Sequence, residues 1–492
     1  MAKLEKIYSN VFLIIMLVAF PLVLTDGYFN VSSTKRAILL VGAAVLIIGE
    51  VVAKRLNLKI EKNSLLYVIF LSIIMSLIMA EDKNKAFLGS DTFGMGVGLA
   101  IVLIVLIAAV RTMRVDIELF CYLGCGVVIF EVLFSLLQFC GVDLYGLLTR
   151  LTTASTLENF LGTMGNTSFF GFFVIIMLAF ALYATTLNSE IRFLAMVSVF
   201  FCGIGVVIAN TDSAVIGFFV VLLLDFFIFG KRQESIKLFF IDLSIIGLAF
   251  GFLKVLFLIT TSERNLSYFG GLLANPITAT IFIIIGIAGF LLLDKKSDSD
   301  VFDTRLVTKI VTIVIIFFIA LFIAASIIYT NVNEIRPDSR VADFLYLDYK
   351  WGNGRGYIWS RALEHYWNGS ILQRLFGRGA SSFYNSFIGA YQDEMLALMN
   401  TLYNDAHNMY IQTLFEYGAF GLTALIVLII GAFKVGFESK NLFTRMCAVA
   451  LLAASIMSFL LVIQCITPCF MALLIGLCYN ENYFMKEANS DE

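Results

Sequence analysis

The chain has 492 residues, of which 60% are hydrophobic and only 14% charged, with a net charge of −2. Soluble domains are nearer ~45–50% apolar and ~25% charged, so this excess points to a lipid-embedded protein, and the near-neutral balance leaves no basic field for nucleic acid. Two histidines in the whole chain argue against a multi-histidine metal centre, and no cofactor is expected.

Lys3 and Lys6 precede a first apolar run at 8–24. Thr25-Asp26-Gly27 is a poor cleavage site, so the run is expected to be a retained helix rather than a signal peptide. Runs close to the ~17–25 residues that cross a bilayer follow near 37–53, 64–80, 95–110, 117–138, 167–186, 191–209, 214–230, 238–259, 276–293, 310–329, 407–433, 446–463 and 468–480. The expected fold is an all-α integral membrane protein. It is a polytopic bundle of about fourteen transmembrane helices (a range of ~12–14), with one large extracytoplasmic loop containing an amphipathic helix. Residues 1–329 then hold the first eleven helices, 330–406 the loop, and 407–492 the last three helices and a cytoplasmic tail. The eight cysteines fall mostly inside apolar runs, and no disulfide framework is legible.

Lys and Arg in the short connections set the orientation. With the N-terminus inside, the inner segments carry twenty of them and the short outer loops six: Lys35, Arg36, Lys83, Lys85, Arg150 and Arg264. Both termini are therefore expected in the cytoplasm, with the protein multi-pass in the cytoplasmic (inner) membrane.

Ionisable residues within spans include Glu131, Asp225, Asp242 and Lys254. Such residues are functional suspects, although helix-to-helix hydrogen bonding explains Glu131 equally well. Gly162-Thr163-Met164-Gly165-Asn166-Thr167 opens the sixth span, where Asn166 is a plausible helix cap.

The loop at 330–406 is far longer than an ordinary connection, and loops of that size are usually functional. Within it Ile358, Trp359, Ala362, Leu363 and Tyr366 recur at helical spacing, with Arg361, Glu364 and His365 on the other face. This helix is expected to lie flat on the outer surface and roof a cavity, with Trp359 and Trp367 at headgroup level and His365 solvated. Arg355 opens it, with a guanidinium suited either to grip a phosphate or to meet lipid headgroups. Leu375-Phe376-Gly377-Arg378-Gly379 follows.

The sharpest local feature is Asn404-Asp405-Ala406-His407-Asn408 leading into a span. Asn404 or Asp405 is the expected cap, and Asn408, Gln412 and Glu416 form a polar stripe facing a cavity or a partner helix. An imidazole at a helix mouth accepts a proton from an attacking hydroxyl, or simply caps the helix. His407 is the better placed of the two histidines for the first role.

Gly-Arg-x-x-x-Trp at 354–359, Leu-Phe-Gly-x-Gly at 375–379 and His-Asn-x-x-x-Gln-x-x-x-Glu-x-Gly at 407–418 together resemble the O-antigen ligase and polymerase superfamily. Gly-Thr-x-Gly-Asn at 162–166 and the stretch from Gly89-Ser90 to Gly98 are also similar to it. The resemblance implies a metal-independent glycosyltransferase that moves a glycan from an undecaprenyl-diphosphate carrier to a hydroxyl of a glycan or glycolipid acceptor at the membrane surface. It implies His407 as activator of the acceptor and Arg355 as the group handling the diphosphate. Asn408, Gln412, Glu416, Arg378, Asn166 and Asp212 are the further candidates for substrate binding. The family commonly shows Thr-x-Ser-Arg-Gly after the seventh span. This chain has Thr211-Asp212-Ser213-Ala214-Val215 instead, leaving Arg340, Arg361 or Arg378 as substitutes for the missing arginine, or Asp212 to serve a different acceptor. A transporter or flippase of lipid-linked glycans shares the composition, but the repeated halves and mid-membrane helix breaks typical of that class are not legible.

Overall fold

A computed structural model describes residues 2–89, 95–151, 159–260, 266–294, 320–333 and 335–480. Residues 90–94 of the Gly89–Gly98 stretch, Arg264, residues 310–319 of the eleventh apolar run and the Arg340 side chain lie outside the described residues. The described secondary structure is helical: α1 Lys3–Leu22, α2 Val31–Val52, α3 Ile60–Met79, α4 Lys83–Leu88, α5 Val97–Thr112, α6 Ile117–Phe139, α7 Thr167–Ala184, α8 Ser189–Ile208, α9 Asp212–Phe229 and α10 Gln233–Ile259. There follow α11 Tyr268–Leu273, α12 Pro276–Asp294, α13 Ala320–Val332, α14 Arg340–Leu345, α15 Trp351–Trp367, α16 Ile371–Phe376, α17 Ser382–Met399, α18 Met409–Glu438, α19 Leu442–Met457 and α20 Ile466–Cys478. Eight of these are long and apolar enough to cross a membrane, and shorter apolar helices join them. This is a polytopic helical membrane protein.

The uncharged sequence of α7 explains why it sits at the centre. Of its residues, 94% are buried, and α6, α8, α9, α19 and α20 all pack on it. Residues of every long helix around it contribute to one continuous apolar core. At the loop-bearing end a second, smaller core joins α15, α17 and α18 through Tyr357, Ile358, Ala362, Phe383, Phe387, Ile388 and Phe415. The loop is therefore a packed helical cap, with α14, α16 and α17 in addition to the amphipathic helix expected at 355–367.

Two expected spans differ in the structure. The run at 446–463 is helical only to Met457, and the irregular segment from Ser458 to Cys465 turns its backbone toward the cap. Apolarity alone made Leu460-Leu461-Val462-Ile463 look like span. The helix α18 is broken at Gly418 (φ +71°), where a Cβ would lie 2.4 Å from the carbonyl carbon of Leu375. The backbone of 375–379 docks in this break: Arg378 N donates to Phe415 O at 3.0 Å, and Gly379 N donates to Glu416 O at 3.1 Å. A break frees carbonyls that need donors at membrane depth, and the Leu-Phe-Gly-Arg-Gly backbone supplies them.

Candidate active site

His407 immediately precedes the cap of α18, in a left-handed conformation (φ +47°) costing roughly 1–2 kcal/mol for a non-glycine residue. Asp405 over-determines that geometry. Its Oδ1 accepts the His407 backbone N–H at 2.6 Å and faces the imidazole Nδ1 at 3.2 Å. Asp405 is buried, whereas the His407 side chain is 32% exposed. A carboxylate oxygen beside Nδ1 favours the ring form that carries its proton there, with Nε2 turned to the 32% exposed side. The helix cap is Asn408, whose Oδ1 accepts from Tyr410 N and Ile411 N at 2.9 and 3.1 Å. The expected cap at Asn404 or Asp405 is thus corrected: Asp405 is committed to His407.

The rest of the polar stripe supports this turn. Gln412 accepts the Ala406 N–H at 2.9 Å and donates to Glu416 at 2.7 Å, and all three stripe residues are buried. Above, the Trp359 indole N–H donates to Ala406 O at 2.9 Å, so Trp359 anchors the histidine turn rather than sitting at headgroup level. Trp367, 64% exposed, is free for the headgroup role expected of it. The Tyr403 ring meets the His407 ring edge-on at 5.7 Å, and its hydroxyl donates to Asn353 O at 3.0 Å.

Arg355 follows three left-handed residues, Gly352, Asn353 and Gly354, which turn the chain into the regular part of α15. At Gly354 a Cβ would lie 2.5 Å from the Tyr403 hydroxyl, so only glycine lets the two elements meet this closely. The guanidinium donates to two backbone carbonyls, Gly352 O at 2.9 Å and Leu460 O at 3.1 Å. Its buried Nε has no hydrogen-bond partner among the described residues. Burial pushes the Arg355 pKa below its usual value, while Asp212, Asp405 and Tyr403 pull it back up. Its hydrogen-bond partners are carbonyls, which fix a guanidinium without forming an ion pair with it.

Arg355 and His407 line one cavity of about 970 Å³ together with Asn166, Arg36, Leu460 and Gln464. Asn166 caps α7 as expected, accepting from Ser168 N at 2.8 Å. Arg355 and Leu460 also line a second cavity of about 710 Å³, which contains Asp212, Arg336 and Lys350. Arg355 thus stands where two hollows meet.

The remaining candidates lie elsewhere. Arg378 lines a separate cavity of about 270 Å³ with Glu81, Asp82 and Lys85, and its guanidinium donates to His365 O at 3.0 Å. Arg361 is paired with both Glu364 and Glu394. His365, expected to be solvated, is half-buried: its ring stacks on Phe415 at 5.4 Å and Nε2 lies 3.2 Å from Ser386 Oγ. Glu131 accepts from Thr163 N at 2.7 Å and Met164 N at 3.1 Å, holding the loop that leads to Asn166.

Sequence reasoning gave Asp405 and Trp359 other roles and missed Leu460 and Arg36 at this cavity. Asp405 stands two residues before His407, and Trp359 one helical turn after Arg355, so local spacing carried a signal for both. Leu460 and Arg36 come from distant elements and had none.

An apolar helical bundle, closed at one end by a helical cap over a polar cavity, defines a polytopic membrane protein with a candidate site beneath its cap. Residues 266–426, from just before α11 to beyond the break in α18, match the family model described as O-antigen ligase, a match that supports the O-antigen ligase and polymerase superfamily and, in general terms, a membrane glycosyl-transferring activity. No curated protein matches the chain by sequence.

Proposed function

We propose that this protein transfers a glycan from an undecaprenyl-diphosphate carrier to a hydroxyl on a glycan or glycolipid acceptor, at the outer face of the cytoplasmic membrane and without a metal. The observation that carries the reading is that His407 and Arg355 line one cavity, each held by groups that leave its reactive face available.

In the proposed step, Nε2 of His407 takes the proton of the acceptor hydroxyl as its oxygen attacks the anomeric carbon from the face opposite the carrier. The new glycosidic C–O bond forms while the bond to the diphosphate oxygen breaks, inverting the anomeric centre. The electron pair leaves with the carrier diphosphate, and Arg355 stabilises the charge that develops there. Asp405 orients the imidazole and stabilises the imidazolium formed. The Lys and Arg asymmetry of the short connections supports a cap on the outer face, where lipid-linked glycans are presented.

Purified protein in lipid nanodiscs, given lipid-diphosphate glycan and acceptor, should release undecaprenyl diphosphate in step with transfer. His407→Ala should abolish release while folding normally. A variant with intact turnover would remove the assigned mechanism, and a wild-type protein that moves the lipid across the bilayer without releasing carrier would instead support a flippase.

A further inference from the structure

The cavity shared by His407 and Arg355 is lined by a second arginine, Arg36, from the second turn of α2. Among the described lining residues there is no Asp or Glu. The half-buried Arg36 makes its hydrogen bond to a backbone carbonyl, Leu88 O, at 3.1 Å, and no described carboxylate pairs with it. Two arginines in a cavity that no described Asp or Glu lines, both hydrogen-bonded to carbonyls, create a site that favours an anion. The surrounding backbone adds to this. The start of α2, from Asn30 to Ser33, lines the same cavity without a side-chain cap, so the positive end of a 22-residue helix opens into it. The remaining groups near this end are neutral: Ser32, held by Gln464, and Asn166. By contrast, Arg361 is saturated by two glutamates and Arg378 faces Glu81 and Asp82, so neither presents free charge to this cavity.

We infer that Arg36 is a second phosphate-binding cation, which with Arg355 holds the two phosphates of the carrier diphosphate and takes the place of the arginine missing after Thr211. The inference rests on the function proposed above. It commits the diphosphate to the cavity of about 970 Å³ rather than to the hollow that contains Asp212.

The test uses purified full-length protein in nanodiscs, with inorganic diphosphate as a competitive probe of the transfer reaction. Arg36→Gln should raise the inhibition constant of inorganic diphosphate about tenfold or more and lower kcat/KM about a hundredfold, with an unchanged thermal midpoint. Arg36→Lys keeps a point charge but loses the two-pronged grip, and should lie between wild type and Arg36→Gln. If Arg36→Gln does not fold, Arg36→Lys alone decides: an inhibition constant equal to wild type overturns the proposal. A folded Arg36→Gln protein with wild-type inhibition overturns it as well. Failure of the underlying function is distinguishable, because the wild-type protein would then release no carrier diphosphate at all.

Discussion

Asp405 holds His407 twice through one carboxylate oxygen, accepting the backbone N–H at 2.6 Å and facing Nδ1 at 3.2 Å. That relationship holds the unusual backbone of the histidine and sets a carboxylate beside its ring. It also makes Asp405 the residue on which the proposed base depends most.

Asp405→Asn keeps the side-chain shape but loses the charge and allows the wrong imidazole tautomer. The expected outcome is a fall in kcat of about 10²–10⁴-fold with KM for the lipid donor little changed, measured by carrier release. A change confined to KM would place Asp405 in binding instead.

Arg355→Ala should raise KM for the donor and lower kcat together, because the guanidinium meets the diphosphate before and during bond cleavage. A loss in kcat/KM of about 10²–10³-fold is expected. Arg355→Lys should recover little of it, since one ammonium cannot reproduce the bonds to Gly352 O and Leu460 O while still facing an anion.

Gly377→Ala tests the docking of the cap on the broken helix. A Cβ there would lie 2.1 Å from Glu416 O, and the φ of +82° disfavours any side chain. Destabilisation of about 1–3 kcal/mol is expected, visible as a lower thermal midpoint and faster proteolysis within 371–400. Equal stability of the variant would mean that the clip is dispensable.

His365 carries a pH-dependent stability of its own. Burial, then the neighbouring Arg378, lowers its pKa below the usual value near 6.5. The unfolded chain therefore takes up a proton before the folded one does. Stability is full above the unfolded pKa and falls as pH drops from there through the folded pKa. His365→Gln should flatten the acid side of the thermal-midpoint profile without abolishing transfer. A profile unchanged by the substitution would assign the acid sensitivity to another group.

The long apolar helices were legible because a span announces itself by length and composition, and the uncharged run at 167–186 indeed became the most buried helix. Arg355 and His407 were legible as candidates because a guanidinium after a glycine turn and an imidazole at a helix mouth are local patterns, and the structure sets both on one cavity. What escaped was set by contacts distant in sequence. The helix Ser382–Met399 buries Phe383 and Phe387 against a partner helix that no local period reveals. Leu460 looked like membrane span because its neighbours are apolar, yet its carbonyl grips Arg355 across 105 residues. Arg36 counted only as a charge in a short connection until the fold placed it in the cavity.

The most direct test is to see the donor in place. Cryo-electron microscopy of the His407→Ala protein in nanodiscs with a lipid-diphosphate glycan would trap it unreacted. The account predicts phosphate density within hydrogen-bond distance of Arg355, in the same hollow that residue 407 lines, with the first sugar directed toward residue 407. Phosphate density beside Arg378 instead, or on the opposite side of the bilayer from residue 407, would contradict it.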